Sequence, residues 1–248
     1  MTSSSNTSST PPDAWEQPQT ILVILAHPDD PEFFCGATLA RWARAGHHII
    51  YALLTCGDKG ANDRQLRPDE VCRIRQEEQQ AAARIIGARE VHFLDRPDGH
   101  LFPDLDLRRD VVRLIRRFRP DILVTCDPQN LYPSDRYGLN HPDHRYAGQV
   151  VLDAVFPAAG NAFYFPELLA EGLEPHTPRE VWVSLTAHPN VTLDVTDTWE
   201  IKTRAILAHK SQIREPEKLL ERLKSWHTED STEEHPRYEE RFRRIILG

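Results

Sequence analysis

The apolar positions fall into short blocks whose period changes from one block to the next. Thr20–Ala26 (TILVILA) is a continuous, β-branched run that ends at His-Pro-Asp, the pattern of a strand buried on both faces. Cys35–Ala45 carries apolar residues at helical spacing and stops at Gly46, and His48–Thr55 (HIIYALLT) is a second strand run closed by a Gly-Asp-Lys-Gly turn. Strand, helix and strand make a βαβ unit. The spacing then predicts a helix over Pro68–Ile86 ending at Gly87, a short strand at Glu90–Leu94, a helix over Leu105–Phe118 stopped near Pro120, and a strand at Asp121–Cys126. A helix at Tyr146–Phe156 and a strand at Val181–Leu185 follow, joined by Pro-rich connections. This alternation predicts an α/β fold: a mostly parallel sheet with helices on both faces and its ligands at the carboxyl ends of the strands. The chemistry is therefore expected just after Ala26, Thr55 and Cys126.

The two ends of the chain read differently. Residues 1–18 are Ser/Thr/Pro-rich with almost no apolar content, the composition of a mobile tail, and 19–248 shows neither a repeat nor a domain boundary. From Asp197 onward the pattern is polar and helical, interrupted at Pro216 and Pro236, and is expected to pack on one sheet edge. The terminal RYEERFRRIILG reads as a solvated helix of mixed charge.

Composition narrows the function class. Of 248 residues, 40% are hydrophobic, enough for a substantial core. The 30 Lys+Arg stand against 38 Asp+Glu, a net charge of −8 with no basic block, which argues against nucleic acid as a partner. The longest apolar runs fall well short of the ~18 residues of a membrane span. The first positive side chain is Arg41, so the N-terminus lacks the charged region of a secretory signal, and the expected location is cytoplasmic. Cys35, Cys56, Cys72 and Cys126 form no C-x-x-C pair and are expected to be reduced thiols.

Two clusters carry chemistry. His27-Pro28-Asp29-Asp30 follows the first strand, and in a tight turn His27 and Asp30 can face one point while Asp29 turns elsewhere. Asn140-His141-Pro142-Asp143-His144 opens a helix after the fourth strand, with Pro142 suited to the first helical position. Each cluster alone reads equally as a set of helix caps. Together, His27, Asp30 and His144 supply two nitrogens and a carboxylate, the ligand set of a catalytic zinc site and equally of a non-haem Fe(II) centre.

A-H-P-D-D-x-E (Ala26 to Glu32) and H-P-D-H (His141 to His144) resemble the two signatures of the PIG-L/LmbE-like zinc de-N-acetylases. The likeness extends through Cys35-Gly36-Ala37-Thr38, Gly57-Asp58-Lys59-Gly60, Arg75-x-x-Glu78 and Asp98-Gly99-x-Leu101, from about Ile21 to Phe156. It departs at Ala37, where a second glycine is frequent, and at Pro31. The resemblance implies a Rossmann-like three-layer α/β/α fold and a zinc hydrolase that removes an acetyl group from an N-acetylated amino-sugar conjugate. It implies Zn²⁺ on His27, Asp30 and His144, Asp29 as general base, and a protonated His141 steadying the oxyanion. Asp143, next to His141, is expected to hold that imidazole charged, as carboxylates paired with histidines do. Arg75 and Asp98 match positions near the substrate, and a homo-oligomer is plausible. Residues 157–180 are expected to help select the aglycone, and His209-x-Ser211-Gln212 is assigned to structure. The rival readings are a hydrolase of another amide or an ester, and a non-catalytic sugar-binding scaffold.

Overall fold

The continuous apolar runs become the middle of a single sheet. In this computed structural model, which describes residues 11–61, 63–133 and 138–247, β1 (Thr20–Leu25), β2 (His48–Thr55), β3 (Glu90–Arg96), β4 (Ile122–Cys126) and β5 (Glu180–Ser184) run parallel. β6 (Val191–Asp194) and β7 (Glu239–Ile246) complete the order β3-β2-β1-β4-β5-β7-β6. The strands at the centre are apolar on both faces because helices cover both: Ile21 through Leu25 and Ile122 through Val124 have no exposed surface. The α/β class and the helix-covered sheet are as the alternation predicts.

The helices are α1 (Asp30–Arg44), α2 (Pro68–Ile86), α3 (Leu105–Phe118), α4 (Pro142–Asp153), α5 (Glu167–Ala170), α6 (Trp199–Ile206) and α7 (Pro216–Lys224). Five of them begin with a proline at the first or second position or a capping aspartate. In α3, for example, Asp104 accepts the Leu107 N–H at 2.8 Å. α1 starts five residues before its apolar spacing does, and Cys35 (φ −150°) is a kink inside it. Close seating of α4 on β4 requires Gly148, since a Cβ there would lie 2.1 Å from the Cys126 carbonyl oxygen.

Three expectations are corrected. The C-terminal RYEERFRRIILG is not a solvated helix: it forms β7, antiparallel to both β5 and β6. Its charges mask a period of two, in which Glu240 and Phe242 turn inward and Arg241 and Arg243 outward. The tail reading also reaches too far inward. Asp13 is buried and accepts from Trp42 Nε1 at 3.0 Å, and Trp15 packs edge-on against Trp42 and Trp182; residues 1–10 lie outside the described residues. Cys56 and Cys72 are joined in a disulfide, because the loop leaving β2 folds over the first turns of α2, whereas Cys35 and Cys126 are free and buried. Among the described residues, no helix is long and apolar enough to cross a membrane.

Candidate active site

β1 and β4 are neighbours in register, Ile21 beside Ile122 and Val23 beside Val124, so the loops leaving them open side by side. His27 leaves β1, and its backbone N–H donates to Asp30 Oδ2 at 2.8 Å, closing the tight turn. His144 stands in the first turn of α4. The two motifs meet there: His27 Nδ1 is 3.3 Å from His144 Nε2 and 3.5 Å from Asp30 Oδ2, and His144 Nε2 is 3.0 Å from Asp30 Oδ1. Tetrahedral zinc with bonds of ~2.0–2.2 Å sets its ligand atoms roughly 3.3–3.6 Å apart, close to this triangle.

Protonation sharpens the fit. His27 Nε2 faces two acceptors, Asp143 Oδ2 at 3.2 Å and Asp98 Oδ1 at 3.1 Å. His144 Nδ1 faces Asn140 Oδ1 at 2.9 Å, and the Asn140 amide is oriented because its Nδ2 donates to the Asn130 carbonyl. When the rings are neutral, these outer acceptors favour the proton on the outer nitrogens, which leaves the inner ones able to present lone pairs beside a carboxylate, and His27, Asp30 and His144 are together a group that could hold a cation. The surrounding charge agrees. Burial opposes charge on His27, but hydrogen bonds to Asp143, Asp30 and Asp98 outweigh it and raise its pKa well above the ordinary value. Burial likewise opposes charge on Asp30, yet His144 and His27 hold its carboxyl far below the usual range.

Asp29 is turned away from this triangle. Its backbone is left-handed (φ 96°), a conformation costing a non-glycine residue ~1–3 kcal/mol, and its carbonyl accepts the N–H groups of Glu32 and Phe33 at the start of α1. The side chain caps nothing. It meets Arg75 Nη2 at 3.3 Å instead, and burial, opposed by the Arg75 cation and aided by the Asp30 anion, pushes its carboxyl up to about 6. Arg75 is itself buried and also donates to the Pro28 carbonyl at 2.5 Å and the Gly57 carbonyl at 3.1 Å. The Gly-Asp-Lys-Gly turn is its cradle, for a Cβ on Gly57 or Gly60 would fall 2.1 or 2.3 Å from Arg75 Nη1.

Arg75 and Asp98, expected near the substrate, thus reach Asp29 and His27 respectively. Asp143 changes partner as well. Its carboxylate accepts from His27 Nε2 and from the N–H groups of Gly99 (2.7 Å) and Leu101 (3.2 Å), not from the imidazole beside it in sequence. His141 is the exposed N-cap of α4, and its Nδ1 accepts the Asp143 N–H at 3.1 Å. Burial and the neighbouring His27 and His144 lower its pKa.

A cavity of about 780 Å³ opens on His141 and His144, walled by Phe33, Phe34, Trp199 and Trp226. That is an ordinary volume for a small-ligand site. Its walls come from α1, from Pro133, Leu139 and Asn140 ahead of α4, and from the segments from Leu185 onward, whereas residues 157–180, expected to help select the aglycone, line none of it. On the far side of Phe33, a second cleft of about 510 Å³ reaches Asp29. Asn140 also serves the site as the partner of His144, Gln79 as the partner of Asp29, and Glu32 as the partner of Gln79. Asn140 and Glu32 stand inside the two motifs, but spacing alone assigns them no partner.

The family model for GlcNAc-PI de-N-acetylase, PIG-L, matches residues 22–155. The chain belongs to the PIG-L family. Its relatives include the diacetylchitobiose deacetylase of Thermococcus kodakarensis, 35% identical over 79% of this chain and 70% of that protein. A 1D-myo-inositol 2-acetamido-2-deoxy-alpha-D-glucopyranoside deacetylase from Kineococcus radiotolerans is 28% identical over 59% of this chain, which spans about half of that protein's length. Among solved structures, the N,N'-diacetylchitobiose deacetylase of Pyrococcus horikoshii superposes with a TM-score of 0.82 at 28% identity, over 92% of this chain and 84% of that one. Proteins named as deacetylases of N-acetylglucosamine-type sugars are thus similar to this chain in sequence, and one of them, in its solved structure, in fold.

Proposed function

We propose that this chain is a zinc-dependent hydrolase that removes the acetyl group from an N-acetylglucosamine-type amide. The observation that carries the reading is the pair of inward ring nitrogens, His27 Nδ1 and His144 Nε2, set 3.3 Å apart against the Asp30 carboxylate. Zinc held by His27, Asp30 and His144 would supply a Lewis acid and make water more acidic.

Asp29 is the general base. A carboxyl near 6 accepts a proton from the attacking water readily and returns it readily to the departing amine, and Arg75 keeps it in place for both transfers. The water oxygen joins the acetyl carbon, the C–N bond breaks, and the products are acetate and a free amino sugar. His141 serves the carbonyl oxygen. With Nδ1 occupied by the Asp143 N–H, the neutral ring carries its proton on Nε2 and donates that N–H as negative charge develops, a contribution worth ~10²–10³ in rate. Asp143 and Asp98 act one step back, keeping the His27 proton on Nε2 so that Nδ1 is free to ligate.

The relatives' sugar-amide activities and the cavity beside His141 support an amino-sugar conjugate as substrate. A bare sugar-binding scaffold has no use for a strained, part-buried carboxyl beside a cation site. The test is acetate release from N-acetylglucosamine and N,N'-diacetylchitobiose, with and without chelator. Release that the chelator abolishes and zinc restores is expected; release insensitive to the chelator contradicts the mechanism.

A further inference from the structure

Asp29 is gripped at both ends by one helix. Arg75 holds its carboxylate, and Gln79, one turn further along the same face of α2, accepts its backbone N–H on Oε1 at 2.8 Å. The Gln79 amide cannot turn over, because its Nε2 donates to both oxygens of Glu32, at 3.0 and 3.1 Å. Glu32 in turn accepts from His209 Nε2 at 3.1 Å. Gln79, Glu32 and His209 are all wholly buried. The segment after His209 is tied to the same helix, with Ser211 donating its backbone N–H and its hydroxyl to Glu78 at 2.7 and 2.6 Å.

We propose that Gln79 is a positioning residue for Asp29, oriented through Glu32 by His209. The inference rests on the reading of Asp29 as the base. A left-handed aspartate needs an outside restraint, since its own preference is to relax to negative φ and swing the carboxyl away. The N–H bond to Gln79 supplies that restraint at the strained residue itself. Glu32 selects the face of the Gln79 amide, and among the described residues the one hydrogen bond made by the His209 ring is to Glu32. The H-x-S-Q segment therefore acts on the base at a distance, through buried hydrogen bonds, without touching substrate.

The test uses the zinc-loaded full chain and three variants. Gln79→Met keeps length and removes the acceptor; His209→Leu removes the donor to Glu32; His209→Gln restores one. The first readout, independent of turnover, is hydrogen exchange at the Asp29 amide by NMR. It is expected to quicken about tenfold or more in Gln79→Met, less in His209→Leu, and to return toward wild type in His209→Gln. The second is acetate release, where kcat is expected to fall about tenfold or more in Gln79→Met with KM within about twofold and zinc content unchanged. Unchanged Asp29 exchange in Gln79→Met overturns the proposal, as does an unchanged kcat. If Gln79→Met does not fold, the two His209 variants decide: equal behaviour of Leu and Gln overturns it. A wild type that releases no acetate would end the deacetylase reading, while the exchange measurement still decides whether Gln79 restrains Asp29.

Discussion

His27 Nδ1 and His144 Nε2 stand 3.3 Å apart across 117 residues of sequence, each aimed by a hydrogen bond on the opposite side of its ring. Loss of the aiming group is therefore expected to weaken the metal site without unfolding the chain. For Asp143→Asn, zinc affinity should fall about 10- to 100-fold, and for Asp98→Asn less, because Asp143 is itself fixed by the Gly99 and Leu101 N–H groups and is the firmer of the two holds on the ring. Zinc titration calorimetry on the apo variants measures this, and equal affinity in all three proteins would contradict it.

Glu180 ties three elements together. It accepts from Trp15 Nε1, Trp182 Nε1 and both Nε and Nη2 of Arg244 in β7, at 2.8–3.2 Å. Burial opposes its charge, but the hydrogen bonds from Arg244, Trp182 and Trp15 outweigh it and hold its pKa below the ordinary value. A depressed carboxylate stabilises the fold above its unfolded pKa, and that stability is lost as pH falls through the folded one. Glu180→Gln is expected to cost ~2 kcal/mol at pH 7, with the gap to wild type closing as pH drops below the ordinary glutamate value of about 4.3. Urea unfolding of both proteins at several pH values reads the difference directly.

The N-terminal segment carries a related expectation. Trp15 packs against Trp42, His47 and Trp182, with ring centroids 5.2–5.9 Å apart. Trp15→Ala should lower stability by ~2–3 kcal/mol, below the full cost of emptying a core tryptophan because the side chain is only part-buried. A thermal midpoint equal to wild type would show that the segment is not held.

Trp226 lines the large cavity and packs against Trp199 and Lys202. Trp226→Ala is expected to raise KM for N,N'-diacetylchitobiose about tenfold and leave kcat nearly unchanged, the signature of lost binding that is the same in ground and transition states. A fall in kcat at constant KM would assign the cavity another role.

The parts of this architecture that were legible in the sequence are those that local pattern controls. β1, β2 and β4 are continuous apolar runs because both faces are covered, and the two His/Asp clusters follow strands whose parallel pairing puts their ends together. Inside each cluster the ligands sit within four residues, so turn geometry alone brings them round. β7 was hidden because its arginines and glutamates outnumber its inward residues, and only the edges of β5 and β6 give that pattern partners. The destinations of Asp143, Asp98 and Arg75 were illegible for another reason. A side chain in the first turn of a helix or in a loop chooses between neighbours that only the fold assembles, here His27 for Asp143 and Asp98, and Asp29 for Arg75. Gln79 belongs with them, since a glutamine on a polar helix carries no mark of the strained amide it meets.

The most direct test separates holding the metal from using it. Purified Asp29→Asn and His144→Ala are compared with wild type for zinc content and for acetate release from N,N'-diacetylchitobiose. The account predicts that Asp29→Asn keeps stoichiometric zinc while its kcat falls ~10²–10⁴-fold, and that His144→Ala loses both zinc and turnover. Wild-type turnover in Asp29→Asn, or undiminished zinc in His144→Ala, would contradict it.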